Sequence, residues 1–464
     1  MRIRKYDFNW GRRELMKKAA VGASAGLLMP LSKVMAEGKD LSKAYPDELL
    51  SIDMYTKGKI KTGDYITADN VDVVKDLVDP IVYEQIKTMG RKIRIKPSVT
   101  QPDQWFPQDY YEKTVKNQRD GVVAGFDSNG NLVTKNTGGP WVGGMPFPDA
   151  KTAIEEQFNM AISWGRHDYS QYAIKERDVG PNGKVSYEYD FVWAELQVTG
   201  RADGTVFHNE KDKLRYQTVF FTASQDVAGT SFMNTWYSDQ RKFPSLVGYL
   251  PQFRRTRTFP ASQRFEPLIP GVTWFLSDVW GAGDPVLTWG DYKTVHRGPF
   301  LSASSTRWNG DRPNWEPGVH GGKANQTFLD TDFELVPEVV VIDEKPTHYP
   351  RAPVGFRRLW VDTRTHTFIS NIRYDRNGKI WVDWEAGFGR FKTPDGKHEV
   401  KDPDGSTLWS WMYVQCYDIQ RNRMSRIMHI PKSFGGYENA YNVNNEEMYR
   451  KWFTQEAIQR LGTI

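Results

Sequence analysis

Between Ser186 and Trp193 the apolar residues Tyr187, Tyr189, Phe191 and Trp193 alternate with Ser186, Glu188 and Asp190, a period of two that predicts a strand with one apolar face. Similar runs recur at 214–221, 232–237, 339–342, 356–361, 368–374, 380–384, 408–419 and 424–430. The pair 368–374 and 380–384 is joined through Asp375-Arg376-Asn377-Gly378, and an Asp/Asn-bearing turn also joins the last two runs, so both pairs read as antiparallel hairpins. A helical period appears in four places. Thr67 or Asp69 can cap a helix carrying Val71, Val74, Leu77 and Val78, and a second amphipathic stretch holds Ile81, Tyr83 and Ile86. Asp149 opens a helix with Ala150, Ile154, Phe158, Ala161 and Ile162 on one face, up to Trp164. Asn444 or Asn445 opens a last one with Met448, Trp452, Phe453 and Ile458. The economical architecture is mainly β within the α+β class: a large curved antiparallel sheet crossed by the Asp149 helix.

Three acidic glycine turns, Asp127-Ser128-Asn129-Gly130, Asp375-Arg376-Asn377-Gly378 and Asp402-Pro403-Asp404-Gly405, lack the twelve-residue ligand spacing of a calcium loop and read as hairpin turns. The tract from Arg297 to Gln326, with Trp308 and Trp315, has no structural period and reads as a lid or a surface excursion.

Composition sharpens this picture. An apolar fraction of 39% is low, yet 17 Trp, 22 Tyr and 24 Phe provide the buried area that disordered chains lack. A single cysteine, Cys416, excludes internal disulfides and cysteine-rich metal centres. The formal charge of +5 is concentrated at the start: residues 1–36 carry +6, which leaves −1 for the rest. A body so balanced has no field for gathering phosphates, so no nucleic-acid partner is expected. The front end reads as an export leader. Arg12-Arg13 precedes a short apolar run from Ala19 to Met29, and Val34-Met35-Ala36 suits a signal peptidase. The paired arginines resemble a twin-arginine signal, with an ordinary Sec signal as the alternative. The chain therefore divides into residues 1–36 as a cleaved leader, 37–140 as a segment with helices packing on the main domain, and 141–464 as the β domain with its C-terminal helix.

Catalytic motifs are sparse. No nucleophile elbow, zinc-protease helix, phosphate loop or dinucleotide fingerprint occurs, so no catalytic residue, metal or cofactor is assigned. His167-Asp168 reads as a structural pair and Cys416 as buried and inert. What stands out is the run from Tyr249 to Pro260, which places Arg255 and Arg257 on one strand face and Arg254 on the other. Such arginines need carboxylates, solvent or an anionic ligand, and Asp278 and Asp284 are the partners expected first, ahead of a headgroup.

Gly143-Gly144-Met145-Pro146-Phe147-Pro148 with its helix, Asp168-Tyr169-Ser170-Gln171-Tyr172, the Tyr249–Pro260 strand, the Asp278–Trp289 segment and Leu359-Trp360-Val361-Asp362 running to Tyr374-Asp375 resemble, in this order, the bacterial family named domain of unknown function 1329. The resemblance implies a relation to LolA/LolB lipoprotein carriers and outer-membrane lipoprotein-sorting proteins: an unclosed β-barrel with helices plugging or covering the concave face. It also implies envelope proteins, often encoded near an outer-membrane barrel protein and a resistance-nodulation-division type transporter, with no established catalytic residues. A twin-arginine leader is a departure from that pattern.

The function expected is a periplasmic or outer-membrane-associated carrier or accessory protein for a lipid or other hydrophobic molecule. Tyr187, Tyr189, Phe191 and Trp193, with Ile380, Val382 and Trp384, are the candidate cavity lining, and ordinary core is the competing reading. Two alternatives are a glycan-binding or glycan-active protein, since Trp and Tyr stack on sugars, and a structural partner of an outer-membrane barrel.

Overall fold

The protein is described by a computed structural model covering residues 29–463 apart from 163–165, 225, 279–282, 304–314, 323–325, 392, 394–398, 402–404 and 406. The arginine pair of the leader, Trp164, Trp280, Trp308 and the turn at Asp402 lie outside these residues.

Helix α1 (Leu31–Ala36) reaches the expected leader boundary and buries Leu31, Val34 and Met35 against Tyr45, Trp105, Phe106 and Tyr110. After α2 (Ile52–Tyr55) and β1 (Tyr65–Ile66), the residues expected to form a helix at 71–78 make only a single 3-10 turn, Val71–Val74. Their spacing marks burial rather than a helix, since Val71, Val74, Leu77 and Val78 are all in the core. The helix lies in the second stretch, α3 (Pro80–Met89), where Asp79 accepts from the amides of Ile81 and Val82 at 2.8 and 2.9 Å and Pro80 takes the first position. Then come β2 (Ile93–Ile95), α4 (Gln108–Arg119), and the hairpin β3 (Ala124–Phe126) and β4 (Leu132–Thr134). Helix α5 (Ala153–Ile162) starts three residues later than expected. Thr152 and Glu155 cap it reciprocally, whereas Asp149 binds Ser32.

The strands of the main body are β5 (Tyr169–Val179), β6 (Val185–Gln197), β7 (Lys213–Ala223), β8 (Ser231–Tyr237), β9 (Ser245–Leu250) and β10 (Arg255–Phe259). After them follow β11 (Gly290–Ser302), the small pair β12 (Val319–Gly321) and β13 (Thr327–Leu329), and β14 (Asp332–Lys345). The series ends with β15 (Val354–Asp362), β16 (Thr367–Asp375), β17 (Ile380–Arg390), β18 (Trp409–Asp418), β19 (Arg423–His429) and β20 (Ala440–Tyr441). Both expected hairpins, β16–β17 and β18–β19, are antiparallel neighbours. Two up-and-down series, β5 to β10 and β14 to β19, meet where β19 pairs β5, forming one 16-stranded sheet. The path ends at β10 on one side and at β1 and β2 on the other, with β11 also paired to β14, so the sheet is not closed into a barrel. Only the β2–β14 pair is parallel among the named pairs.

Register defines two faces. The front carries Tyr189, Phe191 and Trp193 of β6, Val219 and Phe221 of β7, Cys416 of β18, and Val382 and Trp384 of β17. Helix α5 lies at one end of the front, where Arg215 donates to the carbonyl of Ala161 at 2.6 Å. The back is covered by α3 over the second series and by α6 (Asn445–Trp452) and α7 (Gln455–Leu461) over the first. The expected single C-terminal helix breaks at Phe453, and Thr454 caps the second piece by accepting from Ala457.

Candidate functional site

Helix α5 covers one end of the front face, and an irregular segment contacts the sheet from Tyr189 to Arg357. Residues 261–278 leave β10 and cross the sheet, and residues 283–289 lead into β11. Their apolar side chains Ile269, Val272, Trp274 and Leu276 join Tyr189, Phe191, Trp193, Val382 and Trp384 in one core. An extended, turn-rich segment cannot satisfy its own backbone, so the sheet does it. Tyr189 donates its hydroxyl to the Pro270 carbonyl at 2.8 Å, the Thr273 amide donates to Ser425 at 2.9 Å, and the Thr273 hydroxyl donates to the Cys416 carbonyl at 2.9 Å. Trp274, wholly buried, donates from Nε1 to Glu176 at 2.6 Å. Gly271, at φ +87°, passes so close to Tyr187 that a Cβ would lie 2.4 Å from its ring.

Charged latches flank these contacts. Arg373 donates to Asp278 at 2.8 and 2.9 Å and to the Thr273 carbonyl at 3.2 Å. Arg357 pairs with Glu344, donates to the Ser277 carbonyl at 2.7 Å, and lies 3.7 Å above the Trp289 ring. Arg264 pairs with Asp284, which also accepts from Trp289 Nε1 at 2.9 Å. The expectation that Asp278 and Asp284 serve Arg254, Arg255 and Arg257 is therefore corrected. The fold brings Arg373 of β16 and Arg264 of the segment itself to those carboxylates, in buried sites where a guanidinium without an acid is most costly.

Beneath the segment, burial raises the carboxyls of Glu176, well above the usual range and further through its neighbour Asp178, and of Asp178, to about 7. Burial also pushes Glu195 up to about 7, against the opposing pull of Arg215. The Cys416 thiol is buried and pushed well above its ordinary value, consistent with an inert side chain. His167 and Asp168 are structural: Asp168 accepts from the amides of Ala202 and Asp203 at 2.6 and 3.0 Å, and His167 contacts the Trp409 carbonyl at 3.2 Å.

Of the candidate lining residues, Tyr189, Phe191, Trp193, Val382 and Trp384 lie on the front face in the same core that the segment's side chains join. Tyr187 stands at the rim, 36% exposed, stacked on Tyr189 at 6.0 Å. Ile380 is set apart: a bulge between Arg373 and Tyr374 breaks the alternation, and Ile380 packs with the back-face cluster of Trp360 and Tyr374. Arg255 and Arg257 lie exposed on β10, whereas Arg254 precedes the strand, closing a 3-10 turn at φ 51°. The covering segment itself was not singled out from the sequence as a cover, and its only signal is the density of Pro, Gly and Trp without a period.

A separate cleft of about 300 Å³ is lined by Tyr45, Glu156, Arg297, Glu338, Thr363 and His366 among others. Glu338 accepts from Tyr45 at 2.7 Å and from Arg297 at 3.0 Å, and Glu156 binds His366 Nδ1 at 2.5 Å. A carboxylate-oriented imidazole suits proton transfer. Here the cleft's charged interior is spent on internal pairs, and among the described residues no cluster of three or more His, Cys, Asp or Glu is arranged to hold a metal. Among the described residues no tryptophan is exposed, whereas Tyr65 and Tyr187 are.

The family described as Protein of unknown function (DUF1329) matches residues 65–459. A solved domain from Vibrio parahaemolyticus, described as an outer membrane lipoprotein-sorting protein domain, is 14% identical over 66% of this chain and 97% of its own, with a TM-score of 0.42. A DUF1329 family protein from Desulfovibrio piger is 12% identical over 66% and 97%, also at 0.42. A LolA superfamily protein from Nitrosomonas europaea is 12% identical over 65% and 98%, at 0.34. No curated protein matches the chain.

Proposed function

Since the chain belongs to the DUF1329 family, we propose that it is a carrier or accessory protein of the cell envelope that holds a lipid or another hydrophobic molecule on the front face of its open sheet. The observation that carries this reading is the nature of the cover. An apolar strand face filled by a helix is finished core, but this one is filled by an irregular segment that hangs on side-chain latches. Lifting it exposes Tyr189, Phe191 and Trp384, and a guest of similar apolar area replaces the contacts of Ile269, Val272, Trp274 and Leu276 at about 25 cal/mol per Å². The segment thus acts as an internal stand-in for the guest. In this reading residues 1–36 deliver the protein to the periplasm, where a barrel protein or a transporter of the outer envelope passes the guest on.

Native mass spectrometry of the protein purified without detergent, followed by uptake of a fluorescent fatty-acid analogue after delipidation, tests the proposal. A bound lipid, or saturable uptake with faster hydrogen exchange at 267–278, supports it. Absence of both overturns it.

A further inference from the structure

The carrier reading leaves the guest's polar end undefined, and β10 supplies it. This strand is the last in its half of the sheet, with no strand beyond it among the described residues. The register Arg255↔Leu250, Arg257↔Gly248 and Phe259↔Leu246, continued by Phe232↔Gly248 and Val219↔Phe232, places Arg255, Arg257 and Phe259 on the front face. Phe259 lies 5.7 Å from Phe232, ring to ring. That approach requires Gly248, where a Cβ would meet the Phe259 ring at 2.6 Å and the Phe232 ring at 2.9 Å. The apolar row that begins at Trp193 and Val219 therefore runs outward through Phe232 to Phe259 and stops at the open edge beside two exposed guanidiniums.

Neither guanidinium has a carboxylate partner among the described residues. Arg257 instead lies 4.2 Å over the ring of Phe253, which is itself 47% exposed. The acids expected to serve these arginines are committed to Arg373 and Arg264. Unpaired guanidiniums at the end of an apolar row form the complement of one kind of molecule, because their planar forks bind carboxylate or phosphate oxygens in pairs while the row accepts a hydrocarbon tail. Resting on the carrier reading, we infer that the guest is a single amphiphile with an anionic head, carboxylate or phosphate ester, held by Arg255 and Arg257 with its tail along Phe259 and Phe232.

The test compares dodecyl phosphate, dodecanoate and dodecanol as monomers binding to the full protein, with inorganic phosphate as competitor and the double variant Arg255→Gln/Arg257→Gln alongside. Both arginines are exposed, so thermal unfolding of the variant should match the parent. The expected result is a preference of about tenfold for the two anionic amphiphiles over dodecanol in the parent, lost in the variant while dodecanol affinity stays within about twofold. Retained preference in the variant overturns the inference, as does equal binding of all three by the parent, and in both cases the carrier reading survives. Inorganic phosphate competing as well as dodecyl phosphate would reveal an adventitious ion only, and binding solely to anionic vesicles would reveal a membrane-docking edge; each overturns it. If the parent takes up no amphiphile at all, the carrier reading fails first.

Discussion

The two faces of β5 to β8 are built from the same strands but closed in different ways. On the back, Val192, Ala194, Leu196, Tyr216 and Phe220 meet Met448 and Trp452 of α6, Leu461 of α7, and Phe453 at the break between these two helices, whose backbones satisfy themselves. On the front, the cover has no helix or strand across 267–278 and depends on hydrogen bonds and ion pairs reaching out from the sheet. The buried charged side chains of these four strands, Glu176, Asp178, Glu195 and Arg215, all point to the front. Apolar contact is non-directional and is lost only when water enters, whereas a polar latch can exchange its partner for water with little net change. In the carrier reading, the back is permanent core and the front is a closure that can be undone.

The largest effect should come from the permanent side. Trp452 is wholly buried, and Trp452→Ala should cost about 3–5 kcal/mol in denaturant unfolding, with uptake of a fluorescent fatty-acid analogue per folded molecule unchanged. A variant that gained uptake would mean that the back also opens, and the contrast would fall. Next comes pH. Glu195 is held up to about 7 by burial, against an ordinary 4.5. Between those values the folded chain keeps a proton that the unfolded chain releases, so stability declines as pH rises through this window and is flat above it. Glu195→Gln should remove about 3 kcal/mol of that decline, read from unfolding midpoints across the window. An unchanged slope would assign the pH dependence to other buried acids raised in the same direction, Glu176, Asp178 and Asp168 among them.

The contrast between faces also explains what could be read along the chain. Alternation located β6, because up to Asp190 one side of it faces solvent. It faded from Phe191 to Leu196, where both sides are covered and every residue is buried. Helix α4 escaped notice because its inward positions are Tyr110, Thr114 and Asn117, with Thr114 and Asn117 hydrogen-bonded around the Gly143–Met145 turn rather than packed as an apolar stripe. The cover at 261–289 has no period at all, and its latches join residues up to 152 positions apart, as Thr273 and Ser425 are. Arg254, Arg255 and Arg257 were legible as a group, but their neighbours in sequence were mistaken for their neighbours in space.

Smaller changes sharpen the reversible side. Trp274→Phe keeps the apolar body and deletes one donor, leaving Glu176 without the indole hydrogen bond, and about 1–3 kcal/mol is expected. Hydrogen exchange should show the loss locally, with faster exchange at 267–278 and no change at 445–461. Equal acceleration in both segments would mean that cover and helices open together. Tyr189→Phe should have the mildest effect, since only the hydroxyl donated to Pro270 disappears while the ring stays in place. The expected cost is about 0.5–1.5 kcal/mol. Because that hydrogen bond closes the segment near its entry to the sheet, amphiphile uptake should become faster while equilibrium affinity rises only slightly. A variant that unfolds more easily yet takes up its guest no faster would show that Tyr189 belongs to the permanent core, and that the latch lies deeper, at Trp274 and Arg373.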